Sequence, residues 1–332
     1  MPFCPYFVTI AAASLLCVNS ASPSPATSDG IALPFDPAIV NNPTLGDTVG
    51  PGNRGPATLR AQILLDRANF SPGVIDGHYG RNLRNAIVAF QKSHGLSDSG
   101  TVDLATWQIL NSDASNVLQP YVIDASDVAG PFVRIPRAME AKAKLEASGY
   151  ESPIEGLAEK FHSSPDLLKA LNPGRRFDQA GETIIAPNVA SAPLIPAATV
   201  VVNGSDTSVS ALDADGKIIA RFPATIGSEH DPLPVGKWKI LGVRKNPHFH
   251  YNPKLFWDAK ENDTRATIPP GPNNPVGVVW IALSKEHYGI HGAPEPSKIG
   301  YTQSHGCIRL TNWDALKLAS MVKPGTPAVL QE

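Results

Sequence analysis

Cysteine is nearly absent from this chain. There are three in 332 residues, and two of them, Cys4 and Cys17, fall within the first seventeen positions. So few thiols leave no disulfide framework to hold the fold together. Charge is also scarce: 17% of residues are charged and the formal net charge is −2. That excludes the basic field on which nucleic-acid binding depends. Long apolar runs are missing as well. The stretch from Phe7 to Val18 is shorter than the roughly 20 residues needed to span a bilayer. It is followed by the small residues Ser20, Ala21 and Ser22, although no Lys or Arg precedes it. It reads as an export signal over 1–21, and no other segment could cross a membrane, so the mature chain is expected to have no transmembrane helix. Leu16 before Cys17 is too bulky for the usual lipid-anchoring site.

What the chain has in excess is proline, 32 residues against a usual share of about 5%. Much of it must be turns, extended loops and linkers. Its length suggests two or three domains. Residues 22–52 are rich in Pro, Ser, Gly and Asn and read as a flexible linker. In 53–112, Leu59, Ile63, Leu64 and Ala68 recur at helical spacing, and Leu83, Ala86, Ile87 and Phe90 repeat at i, i+3, i+4, i+7. Asp103 can cap a third short helix bearing Leu104, Trp107 and Leu110. Residues 113–149 read as a connector with short strands near Tyr121–Ile123 and Phe132–Ile135 and a helix-like run from Arg137 to Ala147. In 150–190, Ile154, Leu157, Ala158 and Phe161 mark one helix. Ser164-Pro165 opens a second with Leu167, Leu168 and Leu171, and Thr183–Ala186 reads as a strand. From about residue 199 the pattern turns to short alternating strands separated by Asn203-Gly204, Asp215-Gly216 and Pro-rich turns, with one late helix from Trp313 to Met321 capped by Asn312.

The chemistry concentrates near the C-terminus. Ser304-His305-Gly306-Cys307-Ile308-Arg309-Leu310 holds the one cysteine of the processed chain. Tyr288-Gly289-Ile290-His291-Gly292 precedes it, with His291 sixteen residues before Cys307. A thiolate is the reactive form of cysteine, and an imidazole within reach can take the proton. Glycine beside the thiol lets backbone N–H groups approach a developing oxyanion. Polar neighbours argue against an inert, packed cysteine. Arg309, two residues on, shares a face with the thiol if the segment is extended, and its planar fork suits a substrate carboxylate.

The run S-H-G-C-I-R-L, with Y-G-I-H-G before it, resembles the catalytic domain of the L,D-transpeptidases of YkuD type. Leu233-Pro234-Val235-Gly236 resembles the family's T-P-x-G turn, with leucine where threonine is usual. Gly271–Gly277 resembles its N-P-x-G segment, and Pro324-Gly325-Thr326-Pro327 its closing turn. The resemblance implies a mostly-β sandwich over 196–331 in a multidomain α+β chain. By the same kind of likeness, 53–112, with D-G-x-Y-G and G-T-V-D-x-x-T-W, resembles a small three-helix peptidoglycan-binding domain. The segment 150–190, with L-N-P and G-x-x-I-x-x-P, looks like a small α/β LysM module.

The implied reaction is cell-wall transpeptidation. A peptidoglycan stem tetrapeptide acylates Cys307 through its diaminopimelate carbonyl and releases D-alanine. The acyl group then passes to an amine, forming a 3-3 cross-link or anchoring an envelope protein to the wall. The expected catalytic residues are Cys307 as nucleophile, His291 as acid–base, Gly292 through its carbonyl, and Gly306 with Cys307 as the oxyanion hole. Arg309, Tyr288, Ser304 and His305 are the expected substrate-binding group, the last two by bracing the loop. The insert 246–270, rich in aromatics, lies where the family places a lid. No cofactor or metal is expected. The expected partners are stem peptides and glycan strands, and the expected location is periplasmic or otherwise extracytoplasmic, at the cell wall. The alternatives are an L,D-carboxypeptidase that passes the acyl group to water, a zinc enzyme using His291, His305 and Cys307, and a non-catalytic wall-binding protein.

Overall fold

The computed structural model describes Met1 and residues 35–332. The expected signal at 1–21, Cys17 and the first part of the expected linker lie outside the described residues. The described residues 35–332 lie in one compact unit, and no helix among them is long and apolar enough to cross a membrane.

The rest of the expected linker is not a tether. Asp36 caps a short helix, α1 (Pro37–Val40), and Val40 and Val49 are completely buried. Asn41 exchanges two hydrogen bonds with the backbone of Leu118, its Nδ2 donating to the carbonyl at 3.0 Å and its Oδ1 accepting from the amide at 2.8 Å. Two isolated valines and one asparagine order this stretch, too few to leave a periodic signal.

Helices α2 (Pro56–Arg67), α3 (Arg81–Ser93) and α4 (Leu104–Leu110) follow. Their expected core residues are buried except Ala68, which is partly exposed, and Leu104, which opens α4 and points to solvent. Helix α2 is central, so its polar residues are buried too. Gln62 accepts from Gly77 N at 2.7 Å and donates to Asp76 at 2.9 Å, which meets the obligation to hydrogen-bond a buried amide.

Strand β1 (Leu118–Val122) pairs antiparallel with β2 (Thr183–Pro187), and α6 (Pro153–Lys160) and α7 (Pro165–Leu171) lie between them in sequence. The expected connector 113–149 therefore supplies the first strand of the second module. Ile123 of that segment shares a core with Leu157, Phe161, Leu168 and Ile184. Phe132–Ile135 is not a strand, and the expected helix over 137–147 shrinks to one turn, α5 (Met139–Lys142).

The last module is a nine-stranded sheet. Its strands are β3 (Thr199–Asn203), β4 (Ser208–Leu212), β5 (Ile218–Pro223), β6 (Thr225–Ile226), β7 (Gly236–Lys245), β10 (Val279–Leu283), β11 (Gly289–His291), β12 (Ile308–Arg309) and β13 (Pro327–Gln331). Their order is β5-β4-β3-β13-β7-β10-β11-β12-β6. The two edge strands, β5 and β6, are consecutive in sequence, separated only by Ala224. The sheet must therefore fold back on itself, and Phe222 and Ile308 from its opposite ends share one core with Val200, Ile281 and Leu330. Helix α8 (Asn312–Met321) covers this core with Ala315 and Leu318. A separate hairpin, β8 (Phe249–Tyr251) with β9 (Ala266–Ile268), is built from the insert.

The modules are joined by buried polar contacts. Phe70 forms a parallel bridge with Arg221. Ser71 Oγ donates to Asp314 at 2.9 Å, and Asn82 Nδ2 to the Ile299 carbonyl at 2.8 Å. Asp66 is fully buried between His162 at 3.0 Å and Lys317 at 3.2 Å.

Candidate active site

The parallel pairing of β11 with β12 sets His291 opposite Arg309 and Ile290 opposite Ile308. Cys307 enters β12 immediately before Ile308, so the topology brings thiol, imidazole and guanidinium to one sheet end. All three line a cavity of about 1110 Å³, together with Tyr288, His305 and residues of the insert.

His291 is 3% exposed and stacks on Trp280 with ring centroids 5.3 Å apart. Its Nδ1 lies 2.6 Å from the carbonyl of Gly292. A carbonyl can only accept, so Nδ1 carries the proton and Nε2 is left as a base. Burial, reinforced by the charge of Arg309, pushes the imidazole down to about 3 despite the Gly292 carbonyl. It is neutral at physiological pH. Gly292 must be glycine, because a Cβ there would stand 2.1 Å from Asn312 Oδ1. Asn312 does not cap α8; Thr311 does, accepting from Asp314 N. Asn312 instead accepts from Val278 N at 3.1 Å and donates to the Pro272 carbonyl at 3.1 Å and to Glu159 at 3.1 Å. The Gly271–Gly277 segment thus packs against Gly292 behind the histidine and lines the cavity through Pro275 and Val276.

Cys307 is a free, partly exposed thiol whose Sγ donates to the His287 carbonyl at 3.7 Å. Burial pushes it up, opposed by the Gly289 N–H and by Arg309, and the charge of Asp231 pushes it up further. The resting pair is therefore a neutral thiol and a neutral imidazole. Gly306 has φ +88°, and a Cβ there would meet the Tyr288 ring at 2.9 Å. The Gly306 and Cys307 amides donate to no side chain or loop carbonyl among the described residues. They are free for an oxyanion.

The four residues expected to bind substrate divide. Tyr288 and Arg309 line the cavity. Ser304 does not: it is 3% exposed, and its Oγ donates to the Cys307 carbonyl at 2.6 Å, which braces the loop. His305 reaches the cavity wall but is engaged by the insert. Its Nε2 is 2.8 Å from Asp258, and its ring packs on Phe256 and Trp257. The insert is thus pinned to the thiol loop and lines the cavity through Phe249, Tyr251 and Phe256.

Three contributors were not found in sequence. Asp258 stands in a loop without a motif. Asp231 sits before the variant L-P-V-G turn. Arg137, Ala138 and Met139, from the expected connector, form part of the cavity wall. Glu140 fastens that segment to the insert, accepting from Thr264 N at 2.7 Å. No local pattern announces a wall residue supplied from over a hundred positions away. As for zinc, the described residues hold no group of three His, Cys, Asp or Glu placed to share an ion.

Comparison with known proteins matches two parts of the chain. The L,D-transpeptidase catalytic domain, YkuD, matches residues 197–330, and the "Putative peptidoglycan binding domain" matches 54–110. A protein of Bacillus licheniformis named "Putative L,D-transpeptidase YkuD" is 32% identical over 176 residues, 52% of this chain and 90% of the relative. "Probable L,D-transpeptidase YbiS" of Escherichia coli is 26% identical over 225 residues, 65% of this chain and 69% of the relative. Among solved structures, an L,D-transpeptidase from Xylanimonas cellulosilytica aligns over 84% of this chain and 95% of its own, at 17% identity and a TM-score of 0.35. The Bacillus relative is matched over nine-tenths of its length at 32% identity, so the chain belongs to the L,D-transpeptidase family, with a peptidoglycan-binding domain ahead of its YkuD catalytic domain.

Proposed function

We propose that Cys307 is the nucleophile of this transpeptidase and His291 Nε2 its acid–base. The donor is a peptidoglycan stem tetrapeptide whose diaminopimelate–D-alanine bond is cleaved. As Sγ attacks the carbonyl, its proton passes to Nε2, and Nε2 delivers it to the departing D-alanine amine. The Gly306 and Cys307 amides take the oxyanion, a donor of that kind being worth about 3 kcal/mol of transition-state stabilisation. The Gly292 carbonyl holds the imidazole, Arg309 receives a substrate carboxylate, and Tyr288 lines the donor's path. The thioester is then resolved by an amine, giving a 3-3 cross-link or a wall-anchored protein. The observation that carries this reading is the buried imidazole held by Gly292 at 2.6 Å in the cavity that contains the chain's partly exposed thiol.

The modules before it are proposed to hold the enzyme on the wall. The helical unit spans 37–112, and the LysM-like unit combines 118–122 with 150–190. Two wall-binding units on one chain raise the local concentration of stem peptides through effective concentration. Action outside the cytoplasm follows from the family, and 1–21 is proposed as the export signal.

The test is mass spectrometry of the protein after incubation with a tetrapeptide donor. A Cys307 thioester with loss of D-alanine is the expected result. Unmodified protein with an intact donor would overturn the assignment.

A further inference from the structure

Three carboxylates line the catalytic cavity. Asp258 is bonded to His305 at 2.8 Å, and Asp263 accepts from Tyr251 at 3.0 Å. Asp231 differs, because its Oδ2 is buried and has no hydrogen-bond partner among the described residues. The side chain as a whole is partly exposed on the cavity wall, so the carboxylate faces the cavity without an ion-pair partner among the described residues. It is not loose. Asp231 N donates to Ser228 Oγ at 3.0 Å, and Ser228 N donates to the Asp231 carbonyl at 2.9 Å, closing a tight turn. That turn is tied to the thiol loop through Ser304 N, which donates to the Gly227 carbonyl at 2.9 Å. The neighbouring His230 packs at a tilt on Trp257 of the insert, 4.3 Å between centroids.

The charge of Asp231 acts on the Cys307 thiol and on the Tyr288 hydroxyl. Its sign is wrong for the first half of the reaction. A negative charge beside a thiol opposes thiolate formation, so acylation gains nothing from it. The second half differs. Once the sulfur is a neutral thioester there is no thiolate to repel, and the incoming amine arrives as an ammonium ion.

We infer that Asp231 is the acceptor-side catalytic residue: its carboxylate, on the wall of the cavity that also holds Cys307, binds the ammonium of the acyl acceptor and takes its first proton. This rests on Cys307 being the acylated residue. The step balances as follows. The ammonium gives one proton to Asp231, and the free amine attacks the thioester carbonyl. The C–N bond forms and the C–S bond breaks. The amine's second proton reaches the departing sulfur through His291. Asp231 then returns its proton to solvent. Water carries no positive charge and gains less from the carboxylate, so Asp231 biases the enzyme toward transfer over hydrolysis.

The experiment compares full-length protein with Asp231→Asn, which keeps the side chain's shape and the turn. A tetrapeptide donor is supplied with either a second stem peptide, whose acceptor amine is cationic, or hydroxylamine, which is uncharged at neutral pH. The ratio of aminolysis to hydrolysis is read by mass spectrometry. Both products leave one acyl-enzyme, so the ratio is independent of acylation rate. For the stem-peptide acceptor the ratio should fall at least about tenfold in the variant; with hydroxylamine it should change little. Equal falls for both acceptors, no fall for either, or a rise reflecting loss of hydrolysis would each overturn the assignment. Failure of the unsubstituted protein to form any acyl-enzyme would instead sink the Cys307 reading on which it rests.

Discussion

Two regions bury titratable groups, and they treat them in opposite ways. At the junction of the modules, Asp66 is completely enclosed, which by itself would raise its pKa, yet Lys317 and His162 overrule burial and bring it down to about 2. In the catalytic cavity, His291 has one carbonyl for company and falls to about 3, the Cys307 thiol is pushed up, and Asp231 keeps an oxygen without a partner among the described residues. Burial is unfavourable to charge in both places. Where opposite charges compensate it, the group is fixed in one state and serves as a joint. Where they do not, each group is held near its neutral form or left unsatisfied, and substrate can change its state.

The strongest way to break this comparison is at the thiol. Cys307→Ala should abolish donor cleavage while leaving the thermal transition within a degree or two, on the usual scale for a small change at a partly exposed site. Residual D-alanine release from that variant would remove the cavity from the chemistry. The joint should behave in the reverse manner. Asp66→Ala strands Lys317 and His162, and breaking a buried pair in this way typically destabilises by about 3–5 kcal/mol. Urea unfolding should show that loss, with donor cleavage per folded molecule preserved. A loss below about 1 kcal/mol would mean that Asp66 is as poorly compensated as the cavity groups.

The same contrast explains what the sequence made legible. The proposed nucleophile, base and oxyanion residues, Cys307, His291 and Gly306, stand out in sequence because they lie in two short pieces of chain, which the β11–β12 pairing brings together. Helix periodicity gave α2 and α3 for a similarly local reason, through Leu59 and Ile63 on one and Leu83 and Ile87 on the other. What was not readable depends on distant segments. His305 was expected to brace the loop, but its partner Asp258 lies 47 positions away in the insert and carried no signal. Asn312 looked like a cap, and its bonds to Val278, Pro272 and Glu159 depend on three other stretches of chain. Strand β1 was legible near Tyr121, but its pairing was not, because its partner β2 lies some sixty positions on, across the α5 segment that walls the cavity. Val40 and Val49 were assigned to a linker because single apolar residues carry no period.

A pH experiment sharpens the joint itself, which holds two acids that escape compensation. Burial, with the charge of Asp66 added, raises Asp314 to about 7, and burial raises Glu159 to about 7. Their sign is opposite to that of Asp66. A raised carboxyl is protonated in the folded state at pH values where the unfolded chain has already lost the proton. Stability should therefore fall as pH rises from about 4 to about 7. Asp66, depressed from 3.8 to about 2, contributes stability above its unfolded value that disappears only as pH drops toward 2. Asp314→Asn can still accept from Ser71 and cannot ionise. Its stability relative to the unsubstituted protein should improve by about 3 kcal/mol between pH 4.5 and 7. Melting curves at those two pH values check it; a difference that does not change with pH would place the Asp314 titration elsewhere.

The smallest expected effect concerns the one cavity group treated as the joint is treated. His305 pairs with Asp258 at 2.8 Å and packs against Phe256 and Trp257, so it fastens the insert to the thiol loop. If it acts only as a fastener, His305→Ala should raise KM for the donor and leave kcat within a few-fold, for a loss of about tenfold in kcat/KM. Asp258→Asn should do nearly the same. Because one contact is being removed from either end, the double variant should be little worse than either single one. Full additivity would show that His305 and Asp258 serve different ends. A collapse of kcat in His305→Ala, with His291→Ala mild, would reverse the roles of the two histidines and move the base from the buried, carbonyl-held ring to the one paired with the insert.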